Sequence, residues 1–246
     1  MKTIPNFNVK NIHVSDSLIH FKERIMNKFN LKECDLSSKE SSFFFGMYTK
    51  NDVEKIESYK GRVLLIFGGS DLHMIRLLKR RDNIYLIFIS QNLLDRYLYF
   101  AKVYNFKHIY TRIELNLVDT SIFKPIPGKL GKSIYIYDGF KNSDLKKRII
   151  IYNIETINKV KKLLPQFNYI NSSDNVVEYK DMPSIYKKCF IGLRLTLADG
   201  NANTVQEFQA MKIPIIHNQS DYGIKWKNEY DIASIINRYA KYFFLQ

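Results

Sequence analysis

The sequence has 246 residues, of which 46% are hydrophobic, and this excludes a disordered chain while allowing one large or two smaller α/β domains. Its 38 basic and 24 acidic residues give a formal net charge of +14, which favours an anionic partner: a nucleotide, a nucleic acid or a membrane surface.

No apolar run approaches the roughly 18 residues of a membrane span, and the start, MKTIPNFNVK, lacks the apolar core of a signal peptide. Cys34 and Cys189 have no Cys-x-x-Cys spacing, so free thiols in a reducing compartment are expected. These features predict a soluble, cytoplasmic protein.

Before residue 120, short apolar runs alternate with amphipathic stretches. The apolar runs predict strands at 43–47, 62–67, 84–89 and 107–110. Helical periodicity predicts helices at 15–29, 51–58, 71–80 and 91–104. Strands that alternate with helices indicate a parallel sheet with right-handed crossovers.

Residues 123–133, FKPIPGKLGKS, contain two prolines, two glycines and three lysines and predict a solvated linker. After it, strands are predicted at 133–137, 148–152, 167–170, 175–178, 189–195 and 214–217. Helices are predicted at 154–164, 181–188, 204–211 and 229–243. Alternation on both sides of the linker predicts two Rossmann-like, doubly wound α/β domains with parallel sheets.

The segment GKLGKS, 128–133, matches a phosphate-binding P-loop only in part. A P-loop needs a glycine five residues before its second glycine, where this chain has Ile126. It must also follow a strand and open a helix, whereas this segment precedes the strand at 133–137. We therefore interpret it as part of the linker.

Ligands of open α/β sheets bind outside the carboxyl ends of the strands. The residues found there are 68–71, Ser90, 138–141, 194–203 and 217–223. In the first of these segments, Gly69 allows a tight turn, and Ser70 opens a helix whose N-terminus favours an anion. His73 lies in the first turn of that helix. The alternative is an ordinary strand–helix turn in which Ser70 or Asp71 caps the helix.

Arg194 places a charge inside the apolar run CFIGLRL. Buried arginines are rare unless paired, so Arg194 is expected to bind Asp199, a phosphate, or both. The alternative is a purely structural ion pair with Asp199 or Asp221. Because side chains alternate along a strand, Arg194 shares a face with Gly192, where we expect space above the sheet.

Glu207 opens a predicted helix just after the Gly/Asn-rich loop of LTLADGNANTVQE. A carboxylate there can hold ribose hydroxyls while backbone N–H groups face a diphosphate. The alternative is structural, because Thr204-x-x-Glu207 fits a capping box in which Glu207 only bonds the backbone of the N-cap.

Asp199 and Glu207 resemble the Glu-x7-Glu motif of retaining nucleotide-sugar glycosyltransferases of family 4, which have the GT-B fold. Three further segments resemble the same family in the same order, at 84–98, 117–139 and 206–218. The combination GLRLTLADGNANTVQE is closer still to a subgroup found in capsule and lipopolysaccharide loci and in large DNA viruses. The resemblance covers roughly residues 60–230.

The resemblance implies that Glu207 holds the ribose of a UDP- or GDP-sugar and that Asp199 contacts its sugar. Arg194 and a lysine, Lys141 or Lys146, would bind the diphosphate. Further donor-binding residues would be Gly69, Ser70, Gly200, Asn201, Ala202, Asn203 and Thr204. Asp199, Arg194 and His73 form the predicted catalytic set.

Three departures from the family pattern stand in this sequence. The first acid is Asp, one methylene shorter than the usual Glu. Lys212 replaces the usual Gly at the end of the helix, where a left-handed residue would be strained. The Gly-Arg…Lys-Gly phosphate clamp is not cleanly present in YIYDGFKNSDLKKR.

The sequence therefore predicts a GT-B protein with a reduced acceptor-side domain at 1–122, completed by the C-terminal helix 229–246, and a donor-binding domain at 123–228. The predicted activity is retaining, hexosyltransferase-type transfer of a sugar from a nucleoside diphosphate to an acceptor hydroxyl. No DxD motif occurs, so no metal or other cofactor is expected. The acceptor, a glycan, lipid or protein, stays open; no nucleic acid is expected, and the charge allows contact with a membrane surface. Two alternatives are a non-catalytic relative that binds a nucleotide sugar or glycan, and a basic nucleic-acid-binding protein.

Overall fold

The computed structural model describes residues 8–79, 81–139, 145–197, 199–220 and 222–244. The chain divides into two compact units, Met1–Leu117 and Val118–Gln246. Each unit has its own parallel sheet and hydrophobic core. The fold class is therefore mixed α/β with parallel sheets, as predicted.

The first unit contains a six-stranded parallel sheet in the order β2-β1-β3-β4-β5-β6. Its strands are β1 (Asn11–Val14), β2 (Lys32–Glu33), β3 (Ser42–Phe45), β4 (Val63–Phe67), β5 (Ile84–Phe88) and β6 (Ile109–Arg112). Its α-helices are α1 (Lys22–Phe29), α2 (Lys50–Ser58) and α3 (Gln91–Tyr104), and 3-10 helices span Asp16–Phe21 and Ser70–Leu77. Every residue of β3 and β4 is buried, because a parallel sheet is covered on both faces.

The predictions for this unit missed two strands and the type of two helices. β1 is four residues long and β2 consists of two exposed residues, so neither produces an apolar run. The helix predicted at 15–29 begins as a 3-10 helix and becomes α-helical only at Lys22. The helix predicted at 71–80 is the 3-10 helix Ser70–Leu77, which follows a glycine at φ +147°.

The second unit contains a four-stranded parallel sheet in the order β10-β9-β7-β8. Its strands are β7 (Ser133–Ile136), β8 (Tyr169–Asn171), β9 (Cys189–Leu193) and β10 (Ile215–Ile216). Its α-helices are α4 (Leu145–Tyr152), α5 (Ile154–Leu163), α6 (Met182–Tyr186), α7 (Asn203–Ala210) and α8 (Glu229–Phe244), and a 3-10 helix spans Tyr179–Asp181.

The prediction of a strand at 148–152 is wrong, because this run forms the end of α4. Arg148 bonds Asp138, and Tyr152 one helical turn later packs its ring against Tyr137 at 5.6 Å. Ile149 and Ile150 are exposed. The side chains of α4 that make these contacts, Arg148 and Tyr152, are thus four residues apart, as on one face of a helix. The three consecutive isoleucines between them were misinterpreted as a strand.

The prediction of a strand at 175–178 is also wrong, since no strand is found there among the described residues. Val176 is 69% exposed, and β8 forms the edge of the sheet in the described part of the chain. The prediction of a solvated linker at 123–133 also needs a correction. Phe123 is buried against Tyr179, and the N–H of Gly131 donates to the carbonyl of Lys187, so 123–133 packs into the second unit.

Helix α8 belongs to the second unit, although it was predicted to complete the first domain. Ile232, Ile235 and Ile236 are buried in the core formed with β9 and α5. Phe244, near the end of the helix, packs edge-on against Phe190 of β9 at 5.1 Å. The apolar stripe of α8 therefore covers the sheet of its own unit.

Both cysteines are buried free thiols. Cys34 belongs to the core of the first unit and Cys189 to that of the second. Burial raises the pKa of Cys189 to about 12, so its thiol is protonated and unreactive at neutral pH.

Candidate functional site

Polar side chains follow three neighbouring strands of the second sheet, where each strand ends. Asp138 comes shortly after β7, Arg194 directly after β9, and His217 directly after β10. The strands are parallel, so these residues meet at one edge. This carboxyl edge is the candidate site.

Arg194 and Asp199 form an ion pair at this edge. The Arg194 Nε donates to Asp199 Oδ2 at 2.6 Å, and the two side chains keep only 11% and 14% exposure. Thr196 Oγ1 donates to the same oxygen at 3.0 Å, and the N–H of Gly200 donates to Oδ1 at 3.1 Å. The ion pair with Asp199, which was expected on either interpretation of Arg194, is therefore present, and phosphate binding by Arg194 stays a prediction. Asp221 lies outside the described residues.

The ion pair keeps both groups charged. Burial by itself would raise the pKa of Asp199, but the charge and hydrogen bond of Arg194 outweigh it, and the pKa lies below its usual range. Burial also opposes the guanidinium charge, yet Asp199 raises the pKa of Arg194 above its ordinary value. The edge therefore holds a largely desolvated cation whose charge is independent of pH near neutrality.

Two further groups hold Arg194 in position. Its guanidinium carbon lies 3.8 Å from the centroid of the Tyr137 ring, in a cation–π contact. Its Nη1 donates to Thr204 Oγ1 at 3.2 Å, in the first turn of α7. Arg194 thus links the end of β9 to the start of the helix that follows it.

His217 was not among the predicted site residues, although its segment was among those that follow a strand. It is fully buried, and its Nδ1 lies 2.9 Å from the carbonyl oxygen of Arg194. With Nδ1 donating, Nε2 becomes an acceptor, and no partner for it is found among the described residues. Burial, the largest effect, lowers the pKa of His217, so the neutral form is favoured.

Helix α7 begins without a side-chain cap. Its N-cap is Ala202, and the helix starts at Asn203, which puts Thr204 inside the first turn. The capping box of Thr204 and Glu207, which was the structural alternative for Glu207, is therefore not formed. A helix N-terminus whose N-cap residue has no capping side chain is suited to an anion.

Glu207 is buried and accepts a hydrogen bond from the Tyr186 hydroxyl at 2.7 Å. Burial first, and the charge of Glu207 second, raise the pKa of Tyr186 well above its usual value, so the phenol stays protonated and donates. The rings of Tyr135 and Phe208 lie 5.0 and 4.4 Å from that of Tyr186. Sequence could not show this contact, because α6 and α7 meet only in the fold.

The space expected above Gly192 is occupied. A Cβ at this position would lie 2.6 Å from the Phe208 ring. The glycine therefore lets α7 approach β9 closely, which brings Thr204 to Arg194.

A second buried carboxylate, Asp138, was missed by the site prediction. It accepts hydrogen bonds from the N–H and Oγ of Ser173, at 3.0 and 2.8 Å, and from the guanidinium of Arg148. Ser172 Oγ donates to its Oδ1 at 3.1 Å. The available signal was the position of Asp138 just after a strand.

Gly69, Ser70 and His73 belong to the first unit. Gly69 donates its N–H to Asp71 at 2.7 Å, and the His73 ring bonds the carbonyl of Ser70 within its own turn. Asp71, rather than Ser70, thus organises the turn. The roles predicted for Gly69, Ser70 and His73 stay predictions.

The structure brings together Asp199, Gly200, Thr204 and Arg194. Asn201 lies in the same loop and accepts through its carbonyl from Gln206 at 3.2 Å. Lys141 lies outside the described residues. Within the described ranges, no three His, Cys, Asp or Glu side chains are grouped as metal ligands would be, and metal independence stays a prediction.

Among solved structures, this chain is similar to a sucrose-phosphate synthase from Thermosynechococcus elongatus, with a TM-score of 0.53. The match covers 88% of this chain and 66% of the other, at 9% sequence identity. No protein-family model matches the sequence, and no curated protein does. At this identity the likeness shows the fold alone, a parallel α/β architecture shared with that synthase.

Proposed function

We propose that this protein is a GT-B glycosyltransferase of the family 4 type, whose nucleotide-sugar donor binds at the carboxyl edge of the second sheet. The observation that carries the proposal is the buried Arg194–Asp199 pair, bonded to the first turn of a helix without a side-chain cap. A desolvated guanidinium beside the N-terminus of a helix favours a diphosphate. The fold likeness to a sucrose-phosphate synthase supports the same class.

Each residue of the edge has a proposed role. Arg194 uses two of its five N–H groups in the bonds to Asp199 and Thr204, and the others bind phosphate oxygens. Asp199 orients the guanidinium and contacts the donor sugar. Glu207 binds the ribose, and the bond from Tyr186 fixes its carboxylate. The backbone of 200–203 lines the sugar and the phosphates.

The proposed reaction is retaining and independent of a metal. The bond between the anomeric carbon and the diphosphate breaks, and the acceptor oxygen bonds the same face of the sugar. The proton of the acceptor hydroxyl passes to the leaving diphosphate. Arg194 and the amides of α7 stabilise the charge that develops on the leaving group, as preorganised positive groups do.

A direct test is thermal unfolding with a panel of nucleoside diphosphates and UDP- and GDP-sugars. A ligand that binds only the folded protein raises its stability by mass action. We expect one base to stabilise the protein, and turnover of its sugar to release the nucleoside diphosphate. If no member of the panel stabilises the protein, the proposal fails.

Arg194→Lys tests the residue that carries the proposal. A lysine keeps the charge opposite Asp199 but cannot fork two phosphate oxygens. We expect turnover to fall by about 100-fold, as for loss of one preorganised donor. Arg238→Lys, the same change at an exposed position of α8, is the control and should leave turnover unchanged. Full activity of Arg194→Lys would leave the guanidinium with a structural role alone.

One alternative has an observation in its favour. Both oxygens of Asp199 already accept hydrogen bonds from Arg194, Thr196 and Gly200, as they would in a relative that binds a nucleotide sugar without turnover. Stabilisation by a donor without release of its sugar would identify such a binder.

A further inference from the structure

The segment from α3 to β6 presents an unusual surface of the first unit. Six large apolar side chains are exposed there: Leu98, Tyr99, Val103, Tyr104, Ile109 and Tyr110. Between Asp95 and Glu114 the sequence contains no acidic residue. Three exposed cations, Lys102, Lys107 and Arg112, lie among these apolar groups. We name the side chains of Tyr99, Lys102, Val103, Tyr104, Lys107 and Tyr110 the α3–β6 surface.

The aromatic groups of this surface are continuous. Ring contacts run from Tyr99 to Phe100 at 6.1 Å, on to Tyr104 at 6.3 Å, and to Phe106 at 5.6 Å. Tyr110, on the edge strand, packs against Tyr97 of α3 at 5.5 Å. The ring of His108 contacts Phe106 at 5.7 Å and Tyr97 at 6.3 Å, so the two groups of rings are linked. A contiguous apolar surface of this kind marks an interaction site.

The cations are placed to complement negative charge outside the protein. Within the described part of the chain, neither Lys102 nor Lys107 has a carboxylate partner within ion-pair distance. A second copy of the chain would bring the same lysines together across a symmetric interface, and like charges oppose this. The exposed tyrosines could stack on the bases of a nucleic acid, but the exposed aliphatic side chains of Leu98 and Val103 could not, and they favour an apolar partner.

We propose that the α3–β6 surface binds an anionic lipid bilayer. Tyrosines place their rings at the level of the lipid headgroups, where one end is apolar and the other hydrated. The lysines extend toward the anionic headgroups while their aliphatic stems lie on the apolar surface. No helix among the described residues is long and apolar enough to cross a membrane, so the contact is with the bilayer surface.

Co-sedimentation with vesicles tests the charge contribution. The full chain should bind vesicles of equimolar phosphatidylcholine and phosphatidylserine, and not vesicles of phosphatidylcholine alone. Lys102→Gln with Lys107→Gln should lower the binding constant by about 30-fold, since each lysine near an anionic surface contributes about 1 kcal/mol. The control is Lys28→Gln with Lys32→Gln, an equal change of charge at exposed lysines beside β2, the opposite edge of the same sheet.

Val103→Trp tests which residues meet the lipid. Val103 is 56% exposed, so the change should not affect folding. Its fluorescence should shift to the blue with anionic vesicles, against a background from Trp226, which lies in the second unit. No shift would overturn the proposal.

Three other results would overturn it. Equal losses in the two double-lysine variants would show a general effect of charge rather than a binding surface. A concentration-dependent dimer that Tyr99→Ser dissociates would identify a second copy as the occupant. Binding of single-stranded RNA that the α3–β6 lysines control, with no vesicle binding, would identify a nucleic acid. None of these measurements requires a nucleotide sugar, so their outcome is independent of the proposed glycosyl transfer.

Discussion

In the first unit, the buried carboxylate of Asp71 accepts hydrogen bonds from the backbone N–H groups of Met47, Gly68 and Gly69. In the second unit, the buried carboxylate of Asp199 faces the guanidinium of Arg194. Both acids follow a strand of a parallel sheet. The position after a strand of a parallel sheet is thus occupied by an acid in both units, but the acid has different partners in each.

The acids of the first unit tie loops together. Asp52 accepts from the N–H groups of Tyr48 and Thr49 and from the hydroxyl of Ser15, and with Thr49 it forms the capping box of α2. Neither Asp52 nor Asp71 pairs with a Lys or Arg among the described residues. Burial raises the pKa of Asp71 although the backbone N–H donors lower it, so these amides offset only part of the desolvation of its charge.

Two buried acids of the second unit hold arginines, whereas the third, Glu207, accepts from a tyrosine. Asp199 pairs with Arg194, and Asp138 pairs with Arg148. A buried ion pair adds little stability, since desolvation offsets the attraction. No buried ion pair is found among the described residues of the first unit. The comparison supports the proposal that Arg194, at the second edge, serves to bind an anionic ligand.

Asp199→Ala should produce the largest effect on stability. It leaves Arg194 buried without its partner, and removing one member of a buried pair costs about 3–5 kcal/mol. Trp226 is the only tryptophan and lies in the second unit, so its fluorescence during urea unfolding reports the change there. Arg194→Met with Asp199→Leu should recover much of the loss while donor binding stays lost. A loss below about 1 kcal/mol in Asp199→Ala would contradict the pairing.

Glu207→Gln should separate ligand binding from folding. The amide can still accept the hydrogen bond from Tyr186, but it loses the charge-assisted bonds to ribose hydroxyls, on the order of 1.5–3 kcal/mol of nucleotide binding. Tyr186→Phe is the matched variant: it removes the phenol's hydrogen bond to the buried carboxylate and should lower the unfolding free energy by about 1–3 kcal/mol. Equal nucleotide affinity in Glu207→Gln and wild type would assign Glu207 a structural role only.

The stability of the second unit should fall as the pH falls from 7 to 5, by at most about 1.4 kcal/mol per pH unit for one group. Burial lowers the pKa of His217 in the folded state, so a proton binds the unfolded chain more readily. The loss therefore begins near the unfolded pKa of about 6.5. The pKa of Asp199 is lowered too, so its contribution is lost only in stronger acid.

His217→Asn isolates this effect, because its amide can still donate to the carbonyl of Arg194 as Nδ1 does. The slope of stability against pH, measured by Trp226 fluorescence, should flatten in this variant. An unchanged slope would show that another group titrates in this window.

Sequence patterns predicted the structural features that depend on a single segment of the chain. The strands at 62–67 and 84–89 were found because parallel strands are buried on both faces and give continuous apolar runs. The partner of Arg194 was found because a charge inside such a run needs one, and Asp199 lies five residues away. The same logic failed at 148–152, where helical spacing rather than β-branching decided the structure.

Contacts between distant segments were beyond this approach. The bond from Tyr186 to Glu207 joins α6 to α7, and the packing of α8 on α5 joins segments about 70 residues apart. The pattern around Glu207 fits a capping box, but the helix begins at Asn203, one residue before the threonine that was to cap it. Helix boundaries depend on tertiary packing, here the approach of Phe208 to Gly192.

Lys212→Gly should give the smallest effect, and with the opposite sign. Lys212 ends α7 in the left-handed region, at φ +58°, where its N–H donates to Gln209 and that of Ile213 donates to Phe208. A residue with a side chain in this conformation is strained by roughly 1–2 kcal/mol. Glycine removes the strain but loses more backbone entropy on folding, which cancels part of the gain. We expect the second unit to gain about 0.5–1 kcal/mol in urea unfolding followed by Trp226. Lys187→Gly is the matched control, since Lys187 ends α6 at φ −59° and should lose a similar amount. If both variants lose stability, the left-handed end of α7 carries no strain.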